Sequence, residues 1–294
     1  MTRVPLWLAA LLALAPATAR ANDGRAGGKL VLTDGVSSIE GAAGGGLATW
    51  SLIAGNETGA GVGGTAHATI VALPDFDLES YGAALGLFDR AELSYAHQSF
   101  DTRQAGAALG LGRGYTFSQH VIGAKLRVIG DAVWDQDTAL PQIAIGVQHK
   151  IADGGRLGRP LLKALGARAT SGTDFYAAAT KVVLARSMVV NATARLTRAN
   201  QLGLLGFGGD RVGARTLQFE GSAGVLLTRR LLVGGEYRTK PDNLGFAEED
   251  DGYDVFAAWA LGRAVSLTAA YVDLGDIATV KRQRGVFLSL QGGF

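Results

Sequence analysis

The sequence predicts an all-β protein: an antiparallel up-and-down transmembrane β-barrel of about 14 strands, with 12 as the alternative count. Three observations carry this. Apolar and polar residues alternate with period two in segment after segment, as a wall with lipid-facing and lumen-facing positions requires. The connections between those segments alternate between long and short. The last ten residues form an amphipathic strand that ends in Phe294.

In chain order, Arg3 precedes an apolar run, Leu6 to Ala15, then Pro16 and Ala19-Arg20-Ala21. A basic start, a short apolar core and an A-x-A site describe a cleaved signal peptide, residues 1–21, too short for a stable membrane helix. Residues 22–46 are expected to be a Gly-rich N-terminal segment, either a first strand or a lumen plug, because small residues such as those of 41–46 permit close backbone approach. Residues 47–294 are expected to form the barrel.

Strand candidates begin with 27–33 and with 47–54, where Trp50, Leu52 and Ala54 alternate with Thr49 and Ser51. They continue through 65–72, 77–88, 91–101, 117–132, 139–152, 172–185, 187–199, 214–228, 230–240, 253–261, 264–274 and 284–294. In the sixth of these Ile122, Ala124, Leu126 and Val128 oppose Gly123, Lys125 and Arg127; Phe256 breaks the alternation of the twelfth. Long connections near 102–116, 153–171, 200–213, 241–250 and 275–283 alternate with short ones near 89–90, 133–138, 186, 229 and 262–263. Short turns on one side of the membrane and longer loops on the other give that pattern. Tyr253, Trp259, Tyr271 and Phe294 fall near strand ends on the apolar parity, as interfacial aromatic girdles would.

In the last strand Val286, Leu288, Leu290, Gly292 and Phe294 share one face, with Phe287 the large apolar residue on the other. This resembles the closing strand of bacterial outer-membrane barrels, so Leu288, Leu290 and Phe294 are expected to form the signal read by the barrel-assembly machinery. The expected location is the bacterial outer membrane, with its lipid and lipopolysaccharide as partners.

Composition excludes several classes. Without Cys there are no disulfides, thiolate metal sites or Cys nucleophiles. Arg3 and Arg20 leave with the signal peptide and no acid does, so 28 Lys+Arg fall to 26, equal to the 26 Asp+Glu. No clustered basic face suggests nucleic acid. His67, His97, His120 and His149 lack metal-ligand spacing, Gly110 to Gly114 lacks the context of a phosphate loop, and Ser118 and His120 form the one close Ser–His pairing, on a strand expected to separate them. No enzyme, metal or cofactor is expected.

Candidate lumen or selectivity residues are the charges on the polar parity: Lys125, Arg127, Lys150, Arg195, Glu220, Glu236, Arg238, Lys240 and Asp254. Rings of such charges set pore selectivity, or they simply pair across strands. The 236–244 run faces an acidic cluster, 248–251, that could latch a loop. The apolar loop around Leu202 to Phe207 could fold inward.

Four blocks, 36–46, 109–117, 206–211 and 236–244, resemble an uncharacterised proteobacterial family known only as a domain of unknown function (3034) and expected to be secreted. The resemblance brings no activity. The expected function is a passive, porin-like channel for a small, unidentified solute. The alternatives are a non-conducting structural or ligand-binding barrel with a filled lumen, and a soluble secreted β protein.

Overall fold

In the computed structural model, the described residues are Leu32, 36–56 and 61–294. The expected signal peptide, residues 1–21, and most of the 27–33 strand candidate lie outside them. Two short paired strands, β1 (Val36–Ser37) and β2 (Ala43–Gly44), come first. Twelve strands then close a barrel in sequence order, every neighbouring pair antiparallel. They are β3 (Val62–Ala72), β4 (Asp77–Leu87), β5 (Ala91–Asp101), β6 (Thr116–Ile129), β7 (Gln142–Asp153) and β8 (Ser171–Val183). The circuit is completed by β9 (Met188–Thr197), β10 (Thr216–Thr228), β11 (Leu231–Arg238), β12 (Gly252–Ala260), β13 (Val265–Asp273) and β14 (Arg284–Gly293). β14 closes on β3 from Val286 opposite Ala72 to Gly293 opposite Thr65.

Period two builds the wall as expected. In β14, Val286 and Leu288 point outward, 58% and 46% exposed, while Phe287 and Ser289 point inward and are buried. Many outward aromatics lie toward the two ends, Tyr237, Tyr253 and Tyr271 near one and Phe88, Trp134, Trp259 and Phe294 near the other, while Tyr81 and Tyr95 sit mid-strand. The end carrying Val62 and Gly293 is called lower here, the opposite end upper.

The strand count is 12, not about 14, and the wall begins at Val62 rather than at residue 47. The alternation of Trp50, Leu52 and Ala54 does not make a wall strand: Trp50, Ser51, Leu52, Ile53 and Ala54 are all buried, on both parities. Connection lengths alternate as expected for most of the circuit, with two departures. The upper connection 73–76 is tight, and the lower connection 130–141 is long. Among the described residues no helix is long and apolar enough to cross a membrane, which says nothing of crossing by strands. The upper loops carry two short helices, α1 (Ala105–Ala108) and α2 (Gly158–Ala164).

Candidate functional site

The site is the lumen, and residues 36–54 occupy it. The β1–β2 hairpin and the stretch after it run inside the barrel, buried throughout. A chain folded into a polar tube must satisfy its backbone groups, and wall side chains do so. Glu92 accepts from the amides of Ala43 (3.2 Å) and Ala54 (2.9 Å). Glu236 accepts from Leu47 N, and Glu220 from Thr49 N, both at 2.7 Å. Lys125 donates to the carbonyls of Ala43 (3.0 Å) and Leu52 (2.6 Å), Gln142 to that of Ser51 (2.6 Å), Arg238 to that of Leu47 (2.9 Å), and Thr193 to that of Thr49 (2.6 Å).

Glycine makes the fit possible. A Cβ on Gly45 would lie 1.7 Å from Glu236 Oε1; Gly41, at φ +91°, passes 2.9 Å from the Tyr95 carbonyl by the same measure. The segment also has apolar feet. The Phe287 ring lies where a Cβ on Gly46 would sit 3.1 Å away, and Phe287 and Phe256 share a buried cluster with Ile39, Leu47, Trp50 and Leu52. Trp50 donates its indole N–H to Ser222 Oγ at 2.9 Å. Phe256 and Phe287, which break the apolar parity of their strands, thus face the lumen and support its contents.

One charge lies between Asp34 and Glu57 in the sequence, Glu40, and it sits at the densest ion cluster of the barrel. Lys150 donates to Glu40 Oε1. Arg238 approaches Oε2 at 3.0 Å and Arg195 approaches it at 3.6 Å. Lys150 also meets Asp174 (2.8 Å), Arg195 pairs with Glu220, and Arg238 lies 3.5 Å from Glu220. Lower down, Lys125 pairs with Glu92 at 3.0 Å. Asp254 stands opposite Glu236 in the β11–β12 register, also buried.

Of the nine candidate lumen charges, seven converge on this interior: Lys125, Lys150, Arg195, Glu220, Glu236, Arg238 and Asp254. Two sit at its ends. Arg127 is at the lower rim, paired with Asp89 (2.8 Å) and Asp131 (3.2 Å). Lys240 belongs to the upper loop after β11 and donates to the Leu274 carbonyl at 2.8 Å. The loop is fastened there, but not by the basic pair facing the acidic cluster: the Lys240 backbone N donates to Asp251 Oδ1 (3.2 Å), Tyr237 donates to the same carboxylate, and Arg238 turns into the lumen. Sequence reasoning missed Glu40, Glu92 and Asp174. The last two lie on the polar parity of their strands and were legible; Glu40 stood out as a lone charge among small residues.

The loop 198–209 folds inward over the upper mouth. Phe207 is wholly buried and its ring fills the space a Cβ on Gly172 would need. The Leu202 carbonyl accepts from Gln119 (3.3 Å) and Lys150 (3.1 Å). Gln201 and Leu202 take positive φ, 42° and 60°, a strained backbone for residues other than glycine. Glu249 holds the turn by accepting from Gln201 N at 2.7 Å. Burial raises the Glu249 carboxyl to about 7, against the opposing pull of Lys240.

Ser118 and His120 share the outward face of β6, so the expectation that the strand separates them is corrected: residues two apart point the same way. Among the described residues no hydrogen bond joins them; His120 Nδ1 instead meets the Tyr95 hydroxyl at 2.8 Å.

A family model described as "Protein of unknown function (DUF3034)" matches residues 33–291. The chain belongs to the DUF3034 family. No curated protein matches it. Among solved structures, a KdgM porin in complex with disordered oligogalacturonate is 9% identical, with a TM-score of 0.50 over 78% of this chain and 99% of that one. A NanC porin is 5% identical, with a TM-score of 0.50 over 78% and 98%. The outer membrane phospholipase A of Escherichia coli is 9% identical, with a TM-score of 0.40 over 79% and 92%, too distant to bear on chemistry. The two porins share the barrel fold with this DUF3034 chain.

Proposed function

We propose that this DUF3034 protein is an outer-membrane barrel, closed at rest by its own residues 36–56, that passes small solutes when that segment is displaced. The observation that carries the reading is the way the segment is held. Inside the lumen its backbone is bonded mainly by side-chain heads of the wall, not by strand pairing. Water can replace such partners one for one, so the wall stays satisfied when the segment leaves. The outward apolar band and aromatic ends suit a bilayer, and the signal peptide and closing strand, read from sequence, supply export and assembly. In this reading the short connections and both termini face the periplasm, and the candidate lumen charges hold the segment at rest and meet solute when it moves. No catalytic role is assigned to the chain.

A second reading is a permanently filled barrel, favoured by the apolar feet Phe256 and Phe287. A tether separates the two. Ser37 Oγ and Thr65 Oγ1 lie 3.3 Å apart, and the chain has no Cys, so a Ser37→Cys/Thr65→Cys pair fixes the segment to the wall. Transient openings under applied potential are expected in the reduced form and absent in the oxidised one. Silence in both forms would favour the filled barrel; equal flux in both would contradict a gate formed by this segment.

A further inference from the structure

Three cations from three strands, Lys150 of β7, Arg195 of β9 and Arg238 of β11, meet at one carboxylate that belongs to no wall strand. All four side chains are nine-tenths buried or more: Lys150 and Glu40 are 0% exposed, Arg195 1% and Arg238 5%. The wall itself brings two acids to the cluster, Asp174 and Glu220. Within this cluster, three wall cations against two wall carboxylates leave one positive charge in excess, and Glu40 cancels it; Lys125, Glu92, Glu236 and Asp254 lie outside these ion pairs. Each cation keeps a wall partner without Glu40: Lys150 keeps Asp174, and Arg195 and Arg238 share Glu220. The cluster is therefore pre-organised by the wall, and Glu40 fills it without being needed to build it.

From this geometry we infer that Lys150, Arg195 and Arg238 form an anion-binding site in the lumen wall, which Glu40 occupies as a tethered ligand and which takes the carboxylate of a small solute when vacated. A carboxylate fits for two reasons. Its two oxygens reproduce the contacts of Glu40, one accepting from Lys150 and from Arg238 (3.2 Å), the other lying 3.0 Å from Arg238 and 3.6 Å from Arg195, all charge-assisted. Its single negative charge also cancels the cluster's excess, where a doubly charged phosphate would overshoot it. Because Glu40 is covalently attached, it competes at a high effective concentration. A soluble carboxylate that wins the site weakens the hold on residues 36–56. This last step, solute-assisted opening, rests on the proposed gate; the binding site does not.

The test uses the full-length protein with Glu40→Ala, which empties the site while the segment stays attached, and formate as the probe. Saturable formate binding is expected, by calorimetry and by a rise in melting temperature, with half-saturation in roughly the millimolar range open to a three-atom ligand. Wild type should show no such binding, and adding Lys150→Met to Glu40→Ala should abolish it. Absence of saturable binding in folded Glu40→Ala, or an equal response to chloride at matched ionic strength, would overturn the site. If Glu40→Ala does not fold, the barrel lacking residues 36–56 provides the second arm: broadening of the 13C-formate resonance is expected there and should vanish with Arg238→Met, and its absence would overturn the site. Formate binding in a protein that never conducts would leave the site standing and remove the gate; conduction without formate binding would do the reverse.

Discussion

The closing strand β14 and residues 36–54 are held in the same barrel by different bonds. β14 is laddered on both sides, from Val265 opposite Gly292 to Asp273 opposite Arg284 on β13, and from Val286 to Gly293 on β3. The lumen segment meets the wall through side chains, with carboxylates accepting its amides and Lys, Arg, Gln and Thr donating to its carbonyls. A ladder is cooperative, and in the proposed bilayer setting breaking it opens the sheet edge to lipid, where no water replaces the lost bonds. Side-chain bonds in a polar lumen can be lost singly. The barrel and its contents are therefore expected to separate in energy and in time.

The largest expected effect comes from proline, which removes an amide donor and disrupts a ladder. Ser289→Pro, at the middle of β14, should abolish the folded barrel, seen as loss of heat-modifiable migration. Thr49→Pro removes the bond to Glu220 in the segment and should leave the barrel folded, weakening docking by about 1–3 kcal/mol. Equal damage from the two would erase the distinction between wall and contents.

Next in size is Glu40→Ala. Each cation keeps a wall partner, so the cost is that of the lost charge-assisted bonds, about 1.5–3 kcal/mol. The loss should appear in denaturant titrations followed by Trp50 fluorescence, since Trp50 lies in the same segment, while the wall's own transition stays in place. A shift of both transitions together would mean that segment and wall unfold as one unit.

The upper lid gives a smaller, pH-dependent effect. The Glu249 carboxyl sits at about 7 in the folded protein against an ordinary value of 4.5, because burial disfavours its charge. Between those values the folded form holds a proton that the unfolded form has released, so lid docking strengthens as pH falls through about 7 and weakens as it rises. The change is at most about 2 kcal/mol, given partial exposure. Hydrogen exchange at Gln201, whose amide Glu249 accepts, should slow on acidification after correction for intrinsic rates, and Glu249→Gln should remove that dependence.

The smallest effect on stability is expected at Phe294. Its ring is 61% exposed over Gly64, while its backbone N and O pair with Gly64 at 3.0 and 3.1 Å. Phe294→Ala keeps those bonds and should change the stability of the refolded barrel by no more than about 1 kcal/mol. Membrane levels in cells should nevertheless fall if the ring is read during assembly. Unchanged levels would remove Phe294 from the assembly signal, to which Leu288 and Leu290 are also assigned.

The wall was legible in the sequence because parity is a local property. Ile122, Leu126, Val255 and Leu288 face outward, and Lys150, Arg195, Glu220 and Glu236 inward, as alternation requires. The strand count was not legible, because Trp50, Leu52 and Ala54 alternate like a strand while the lumen buries both of their faces. What distinguishes such a segment lies far away in sequence, in Glu92, Glu220 and Glu236, whose carboxylates accept its amides. Two local clues did exist: Phe256 and Phe287 on the polar parity, and the lone Glu40 among glycines and alanines. Large aromatics pointing into a lumen imply something for them to pack against. Arg127 and Lys240 carried the right parity but sit at strand ends, where rim and loop partners take over.

The most direct measurement is single-channel current in planar bilayers for the intact protein and for a variant lacking residues 36–56. The intact barrel should be silent at rest, and the variant, its lumen charges now facing water, should give steady steps of current. Steady conduction by the intact protein, or silence from a folded variant without the segment, would contradict closure of the lumen by residues 36–56.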